Sequence, residues 1–271
     1  MSSNYARLVT KVREKSPLVQ QITNFVTVND CANVTLAIGA SPIMADAIGE
    51  AADIAAISSA LVINMGTLDE ADMRSMAAAG KSANAGGVPV VFDPVGAGAS
   101  KLRNDTVTML TRELKLSVIR GNISEIKFIA GLTSQTKGVD AAQSDIDDPE
   151  SVGRMAKALA AKLGCVIVVS GAVDVISDGE RLVFVENGHP MLTRLTGTGC
   201  MCTALIGSFC GAHSDPLEAA VAGMLSMGIA GEIAYEKAGR QGNGSFHAAL
   251  MDALSLMDTI TIERMAKYRE V

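Results

Sequence analysis

The sequence predicts an α/β protein with a mostly parallel central sheet, because short apolar runs alternate with stretches of helical length and periodicity. The apolar runs are rich in β-branched residues, are bounded by turn residues and are typical of strands. They are Leu18–Thr23, Ala60–Met65, Val88–Asp93, Leu116–Arg120 and Cys165–Ser170. The intervening helices are predicted over Asp69–Ala85, Asn104–Leu114 and Pro149–Leu163.

A β-hairpin is predicted where this alternation stops. The runs Val173–Ser177 and Arg181–Glu186 are joined through Asp178-Gly179, a strong hairpin signal, so the sheet should gain antiparallel strands there. Beyond the hairpin the chain is predicted to be helical, in the three pieces Cys200–Gly211, Asp215–Ala238 and Ser245–Leu256.

Composition indicates one domain over residues 1–271. With 271 residues, 48% of them hydrophobic, the chain can bury a large core, and no linker or low-complexity segment divides it. The net charge of −6 and the lack of a Lys/Arg cluster argue against nucleic acid as a partner. The polar N-terminus lacks the apolar segment of a secretory signal, so a cytoplasmic location is expected.

Neither a membrane span nor a zinc site is predicted. The uncharged stretch Leu195–Ser214 is about long enough to span a bilayer, but its four glycines favour a buried helix. The five cysteines form no CxxC pair, which argues against a disulfide framework. The histidines show no ligand spacing, and Cys200 and Cys202 should point to nearly opposite faces of a helix.

The segment Leu-Thr-Gly-Thr-Gly-Cys, residues 195–200, predicts an anion site. It lies between a strand-like stretch and a small-residue helix that should begin near Met201. Two glycines allow the backbone to approach a ligand closely, and the helix would direct unpaired N–H groups and its positive dipole end toward it. The alternative is local, because Thr196 or Thr198 could simply cap the helix.

Polar residues at the predicted strand ends point to phosphoryl transfer. Ligands of open α/β sheets bind beyond the carboxyl ends of the strands, where this chain places Asp93, Arg120 and Ser170, with Glu125 on the next helix. Carboxylates can hold magnesium, and arginine can neutralise phosphate oxygens. Taken singly, Asp93 could cap a turn, Glu125 could complement a helix dipole, and Arg120 could pair with either of them.

The chain resembles the hydroxyethylthiazole kinase family of ribokinase-like kinases over essentially its whole length. An Asn-x-x-Glu segment, here Asn122 to Glu125, is shared by ribokinase-like kinases and is associated there with magnesium and phosphate. Most relatives end the glycine loop with aspartate, whereas Cys200 is typical of the thiazole kinases. The matching segments are 21–24, 39–45, 92–96, 120–125 and 196–200.

The resemblance implies an ATP- and Mg²⁺-dependent kinase of a thiazole alcohol, with a ribokinase-like fold and no separate lid domain. Cys200 would be catalytic, as a base or as a spacer nearest the substrate hydroxyl. The family also implies a homotrimer whose active sites lie at subunit interfaces. Carried over by position, the anion hole would be Gly197, Thr198, Gly199 and Cys200; the ATP contacts Arg120 and Ser170; the metal-site residues Asp93 and Glu125; and the substrate contacts Met44, Gly197 and Asn24, the last in a segment that closes a neighbouring subunit's pocket.

Two other functions stay open at this point. A kinase of another ring alcohol, such as a hydroxymethylpyrimidine or a pyridoxal-type compound, would use the same fold, although Cys200 in place of aspartate disfavours it. A silent nucleotide or thiazole sensor would bind without turnover. Asp93, Glu125 and Arg120 argue against the sensor, because a pure binder has little need of charge linked to a metal.

Overall fold

A computed structural model describes residues 4–132 and 148–271, and within these ranges the strands form one nine-stranded sheet. The strand order is β2-β1-β3-β4-β5-β6-β7-β8-β9. The strands are β1 (Leu18–Ile22), β2 (Ser41–Ile43), β3 (Ala60–Asn64), β4 (Val90–Asp93), β5 (Val118–Asn122), β6 (Val166–Ser170), β7 (Asp174–Ser177), β8 (Leu182–Val185) and β9 (Tyr268–Glu270).

The sheet is parallel from β2 to β6 and antiparallel from β6 to β9. The prediction of a mostly parallel sheet with an added hairpin is therefore confirmed. The hairpin turn contains Asp178, whose carboxylate accepts hydrogen bonds from the backbone N–H groups of Glu180 and Arg181 at 2.9 and 2.7 Å. This local bonding is the reason that an Asp-Gly pair favours a turn over a continued strand.

Helices cover both faces of the sheet and enclose two cores. Residues alternate between the cores along each strand: in β3, Ala60 and Val62 face one core, and Leu61 and Ile63 face the other. The helices are α1 (Asn4–Lys15), α2 (Val28–Ile38), α3 (Ala51–Ile57), α4 (Glu70–Gly86), α5 (Lys101–Glu113), α6 (Ile123–Ile129), α7 (Pro149–Leu163), α8 (Thr198–Ala212), α9 (Pro216–Ala238), α10 (Asn243–Ser255) and α11 (Thr259–Met265).

Side-chain caps explain why the sequence predicts the N-terminal ends of several helices correctly. Asp69, Asp148 and Asp215 each accept a hydrogen bond from a backbone N–H in the first turn of α4, α7 and α9. Helix α5 begins earlier than predicted, at Lys101, because Ser100 caps it by accepting from the N–H of Arg103. All four helices are therefore fixed at their N-termini by local chemistry.

Several elements of the structure were not predicted. Helix α1 is amphipathic and buries Tyr5, Leu8, Val9 and Val12 along one face, a spacing obscured by its charged residues. Helix α2 was not predicted either, helices α3 and α11 have only seven residues each, and strands β2 and β9 have only three. Such short edge strands carry too few residues for a pattern to be recognised.

Among the described residues, one helical stretch is long and apolar enough to cross a membrane by length and composition; it covers Pro216–Gln241, which is α9 and the short 3₁₀-helix that follows it. However, 83% of its most apolar window is buried inside the molecule. The predicted buried helix in Leu195–Ser214 is confirmed as α8, in which the side chains from Met201 to Cys210 are all buried. Both apolar helices therefore belong to the core.

Helix α8 lies unusually close to the sheet at Gly207. A Cβ atom at this position would lie 2.3 Å from Cγ2 of Val62 in β3, so any side chain would force the helix and the sheet apart. We predict that Gly207→Ala lowers the free energy of unfolding by about 1–3 kcal/mol, because overpacking outweighs the better helix propensity of alanine.

The matched control is Gly86→Ala in α4, where a Cβ would meet only Val88 at an ordinary 3.7 Å. Chemical denaturation should show that Gly86→Ala is neutral or slightly stabilising. Equal effects of the two substitutions would contradict the close approach of α8 to β3.

Candidate active site

Polar side chains gather at the carboxyl edge of the parallel strands. Asn64 ends β3 directly opposite Asp93 at the end of β4, and Asn122 ends β5 opposite Ser170 at the end of β6. Asn24 follows β1 at the same edge. The parallel register therefore brings residues far apart in sequence to one rim, as expected for this sheet class.

Asp93 is almost fully buried and bridges the sheet to α8. Its Oδ2 accepts hydrogen bonds from Nδ2 of Asn64 at 2.9 Å and from Oγ1 of Thr203 at 2.8 Å. Burial raises the pKa of Asp93, while the Arg120 guanidinium and the two donors oppose the rise. The described hydrogen bonds of the carboxylate therefore come from side chains at the carboxyl edge of the sheet, and none comes from the turn at Pro94.

Glu125 has both carboxylate oxygens engaged by backbone N–H groups. It forms a capping box with Asn122 at the start of α6, accepting from the Asn122 N–H at 2.8 Å, and it also accepts from the N–H of Gly96 at 2.8 Å. Burial, with the nearby Asp93 charge, raises the pKa of Glu125 to about 7. Glu125 therefore caps its helix and also fixes the loop that follows β4.

Arg120 is charged and lies close to three carboxylates, but no described hydrogen bond or ion pair joins its guanidinium to them. Asp93, Glu125 and Asp174 all favour its charged form, and the net direction of its pKa is upward despite burial. Within residues 4–132 and 148–271, no ion pair involves Arg120, and its buried Nε has no hydrogen-bond partner. An orphaned guanidinium nitrogen of this kind indicates a site that takes an anionic ligand.

The N-terminus of α8 lies against Arg120. A Cβ at Gly199 would lie 2.6 Å from Nη1 of Arg120, so glycine is what allows the guanidinium to approach the helix end. Helix α8 begins at Thr198, earlier than predicted, and follows a 3₁₀-helix over Pro190–Arg194 rather than a strand. Gly197 occupies the N-cap with φ of 87°, a left-handed conformation that favours glycine.

No side chain of the described residues caps α8. The predicted alternative, a cap by Thr196 or Thr198, is wrong, because the N-cap is Gly197 and the hydroxyl of Thr198 donates to the carbonyl of Leu192 instead. The first-turn N–H groups of Thr198, Gly199 and Cys200 accordingly have no described hydrogen-bond acceptor. An uncapped helix start beside a free guanidinium is well suited to bind phosphate.

Cys200 is half-buried at this helix end, and its Sγ accepts a hydrogen bond from Nδ2 of Asn24 at 3.4 Å. Burial and the Asp93 carboxylate raise the pKa of Cys200, whereas the polar side chains of Thr27, Asn64 and Asn24 oppose that rise. The net direction is upward, so Cys200 is a thiol at neutral pH.

Asn24 is itself buried, with 5% of its surface exposed, and its amide bonds to Asn64, Thr27 and Cys200 of its own chain. The residues that reach outward are its neighbours Phe25 and Val26, which are 77% and 54% exposed. The part of this segment available to an adjacent subunit is therefore the apolar pair that follows Asn24.

Met44 and Ser170 lie at the two sides of the rim. Met44 is half-buried and follows edge strand β2, where Nε2 of Gln20 fixes the next residue by donating to the carbonyl of Ala45 at 2.8 Å. Ser170 is half-buried and its hydroxyl donates to the carbonyl of Gly121 at 3.3 Å. No described hydrogen bond joins Met44 to the other candidate residues.

Sequence reasoning missed four residues that build the site. Asn64 ends an apolar strand as Asp93 does, and that signal could have revealed it. Asp174 is buried beside Arg120, accepts from the Gly171 N–H at 2.9 Å, and has its pKa raised to about 7 by burial. Thr203 lies within a helix and Arg103 within another, and no local pattern marks either of them.

Arg103 joins the two loops that follow β3 and β4. Its guanidinium donates to the carbonyls of Met65 at 2.6 Å, Gly66 at 2.5 Å and Val95 at 2.5 Å. These loops carry Gly66, which packs on Asn24, and Gly96, which binds Glu125. One side chain of α5 therefore connects the loop that packs on Asn24 to the loop that binds Glu125.

The fold and the rim together define a ribokinase-like kinase. The solved pyridoxal kinase of Staphylococcus aureus with bound pyridoxal shares this fold, with a TM-score of 0.60 and 13% identity over 79% of this chain and 87% of that one. The sequence model of the hydroxyethylthiazole kinase family matches residues 9–259, and the chain belongs to that family.

Named relatives agree over nearly the full length. The hydroxyethylthiazole kinase of Ruminiclostridium cellulolyticum is 61% identical over 98% of this chain and 97% of its own length. That of Clostridium beijerinckii is 60% identical over 100% and 99%. The solved hydroxyethylthiazole kinase of Pyrococcus horikoshii OT3 has a TM-score of 0.89 at 40% identity, covering 98% of both chains.

The raised pKa of Glu125 gives a pH dependence of stability. Its folded pKa of about 7 exceeds the unfolded value of 4.5, so between these values the folded state holds the extra proton and stability falls as pH rises. We predict that the parent loses about 3 kcal/mol of unfolding free energy relative to Glu125→Gln when the pH is raised from 5 to 8. Urea denaturation at several pH values measures it, and a constant difference would contradict the assignment.

Proposed function

We propose that this protein transfers the γ-phosphoryl group of ATP to the hydroxyl of 5-(2-hydroxyethyl)-4-methylthiazole, a step that feeds thiamin biosynthesis, and that residues 1–271 form one kinase domain. Family membership supports the substrate. The structural observation that carries the chemistry is the uncapped N-terminus of α8 beside the unpaired guanidinium of Arg120. Together they supply the positive potential that a moving phosphoryl group requires.

Arg120 and Ser170 are proposed to bind ATP. Arg120 keeps its charge and has donors to offer, which fits contact with phosphate oxygens. Ser170 lies at the end of the neighbouring strand, and among the described residues its half-buried hydroxyl makes only one long hydrogen bond, of 3.3 Å. The N–H groups of Thr198, Gly199 and Cys200, with Gly197 shaping the turn, would form the anion hole for the transferred phosphate.

Asp93 is proposed to hold Mg²⁺, with Glu125 close by. The described residues contain no cluster of three or more possible metal ligands, which fits an ion held mainly by phosphates and water plus one carboxylate. Asp93 suits this role because both of its described hydrogen bonds go to Oδ2. Glu125 has both oxygens bound to backbone N–H groups, so its part would be to position the Gly96 loop and to act through water. When bound, the ion would neutralise phosphate charge.

Met44, Gly197 and Asn24 are proposed to border the alcohol, with Cys200 nearest its hydroxyl. Because Cys200 is a thiol whose sulfur accepts from Asn24, its part would be to place the hydroxyl in line with the phosphoryl group. A loose, metaphosphate-like transition state needs little early proton transfer from the alcohol, so positioning supplies much of the rate.

The assembly proposed for this chain is a cytoplasmic homotrimer with active sites at subunit interfaces. The exposed side chains of Phe25 and Val26 directly follow the buried Asn24 and so provide an apolar surface at the site entrance. Covering such a surface with a second copy would remove apolar area from water.

ADP formation from Mg·ATP tests the activity, using the thiazole alcohol beside hydroxymethylpyrimidine, pyridoxal and a control without alcohol. A rate confined to the thiazole alcohol supports the proposal. Activity with another alcohol alone would keep the chemistry and overturn the substrate, and ATP binding without turnover on any alcohol would favour a sensor.

Replacing Cys200 tests the acceptor side. We predict that Cys200→Ala lowers kcat at least about tenfold, because the hydroxyl loses its closest partner, while the Kd for ATP stays within about twofold. Calorimetry and ADP release measure the two quantities. The control is Cys165→Ala, which should keep the parent kcat, because Cys165 directly precedes β6 and so lies at the end of that strand away from Ser170. Loss of ATP binding as severe as the loss of turnover would contradict this role for Cys200.

Light scattering tests the assembly. At micromolar concentration we expect three times the chain mass of 28.0 kDa. The double substitution Phe25→Ser and Val26→Ser should weaken association and lower activity together, because the sites would lie at the interfaces. A fully active monomer would overturn the interface proposal.

A further inference from the structure

We propose that Asn64 is a positioning residue that sets the direction of the hydrogen bonds reaching Cys200 and Asp93, and so aligns the acceptor side of the site with the donor side. This inference rests on the proposed function for its kinetic consequence, but its structural content stands independently. Nothing in the family resemblance singled out Asn64, and its role follows from the geometry of the rim.

Asn64 is 2% exposed, and the described hydrogen bonds of its amide fix the orientation of that group. Its Oδ1 accepts from the backbone N–H of Gly66 at 3.0 Å, and a backbone N–H can only donate. Rotating the amide by 180° would place Nδ2 against that N–H, with donor facing donor. Nδ2 must therefore point to Oδ2 of Asp93, 2.9 Å away.

Asn24 is fixed by the same logic. Its Oδ1 accepts from the backbone N–H of Thr27 at 3.1 Å, so its Nδ2 carries the two donors. One of them goes to Oδ1 of Asn64 at 2.9 Å and the other to Sγ of Cys200 at 3.4 Å. An amide nitrogen has only two hydrogens, so both are used.

These contacts make Asn64 the junction of the network. Its oxygen holds Asn24 in the orientation that donates to the Cys200 sulfur, and its nitrogen holds the Asp93 oxygen that also accepts from Thr203. The sulfur is consequently an acceptor toward Asn24, which leaves the thiol hydrogen free to point elsewhere. Loss of the Asn64 oxygen would release Asn24, whereas loss of its nitrogen would chiefly disturb Asp93 and would leave the hydrogen bond from Asn24 to Cys200 in place.

Two substitutions separate these functions. Asn64→Ala removes both halves of the amide. Asn64→Asp keeps an oxygen for Gly66 and Asn24 but places a second carboxyl oxygen against Asp93, where the two groups must share a proton. The matched control is Asn84→Ala, because Asn84 also bridges two segments, donating to the carbonyl of Lys115 at 2.9 Å and accepting from its N–H at 2.7 Å, far from the rim.

The primary measurement is the iodoacetamide alkylation rate of each cysteine by mass spectrometry. Cys200 is half-buried, and the other four cysteines are buried. We expect Asn64→Ala to slow alkylation of Cys200 at least about threefold, because the sulfur loses a donor that favours the reactive thiolate. Asn64→Asp and Asn84→Ala should stay within about twofold of the parent. General loosening of the fold would have the opposite sign, since it would speed alkylation and expose the buried cysteines.

Kinetics give the second measurement. Both Asn64 variants should lower kcat at least about tenfold, while the KM for ATP changes less than about threefold, because Asn64 has no described hydrogen bond to Arg120 or to the first-turn N–H groups of α8. An unchanged Cys200 alkylation rate in Asn64→Ala, faster alkylation of several cysteines, or a parent-like kcat in Asn64→Asp would each overturn the proposal. If Asn64→Ala does not fold, Asn64→Asp decides the matter through kcat.

The two proposals fail in different ways. Absence of ADP formation by the parent protein with any alcohol would overturn the proposed function. The alkylation contrast between Asn64→Ala, Asn64→Asp and Asn84→Ala would still test the positioning role.

Discussion

The close packing of α8 on the sheet is the constraint on which the site depends. Gly207 lets the helix axis approach β3 until a methyl group would collide with Val62, and Gly211 allows a similar approach to Pro17 near the start of β1. These two contacts hold α8 close against the sheet. The N-terminus of α8 therefore lies at the carboxyl edge of the strands, beside Arg120.

Burial of so many polar groups at this edge is tolerable because each is matched to a partner of defined direction. Asp93, Glu125 and Asp174 all have raised pKa values from burial, and each accepts hydrogen bonds that offset part of the desolvation cost. Arg120 differs from these three carboxylates, because its buried Nε has no hydrogen-bond partner among the described residues. Unpaired hydrogen-bond donors therefore lie at one cation and one helix end of the rim, where an anion would satisfy both.

Much of the fold was readable from the sequence because its signals are local. Aspartates cap α4, α7 and α9, apolar runs mark the parallel strands, and Asp178-Gly179 marks the hairpin. The candidate site was partly readable for the same reason, since Asp93, Arg120 and Ser170 end strands. Asn64, Thr203 and Arg103 act through partners 29 or more residues away in sequence or through backbone carbonyls, and such contacts leave no local periodicity. Short elements such as β2 and β9 were missed because pairing, not propensity, defines them.

The guanidinium of Arg103 has a consequence for how the chain can change over evolutionary time. This one planar group donates hydrogen bonds to carbonyl oxygens of the loop after β3 and of the loop after β4. An insertion or deletion in either loop would carry at least one carbonyl out of reach and leave a charged donor unpaired. A change in the length of one loop is therefore restricted by the other loop, although the two loops follow different strands.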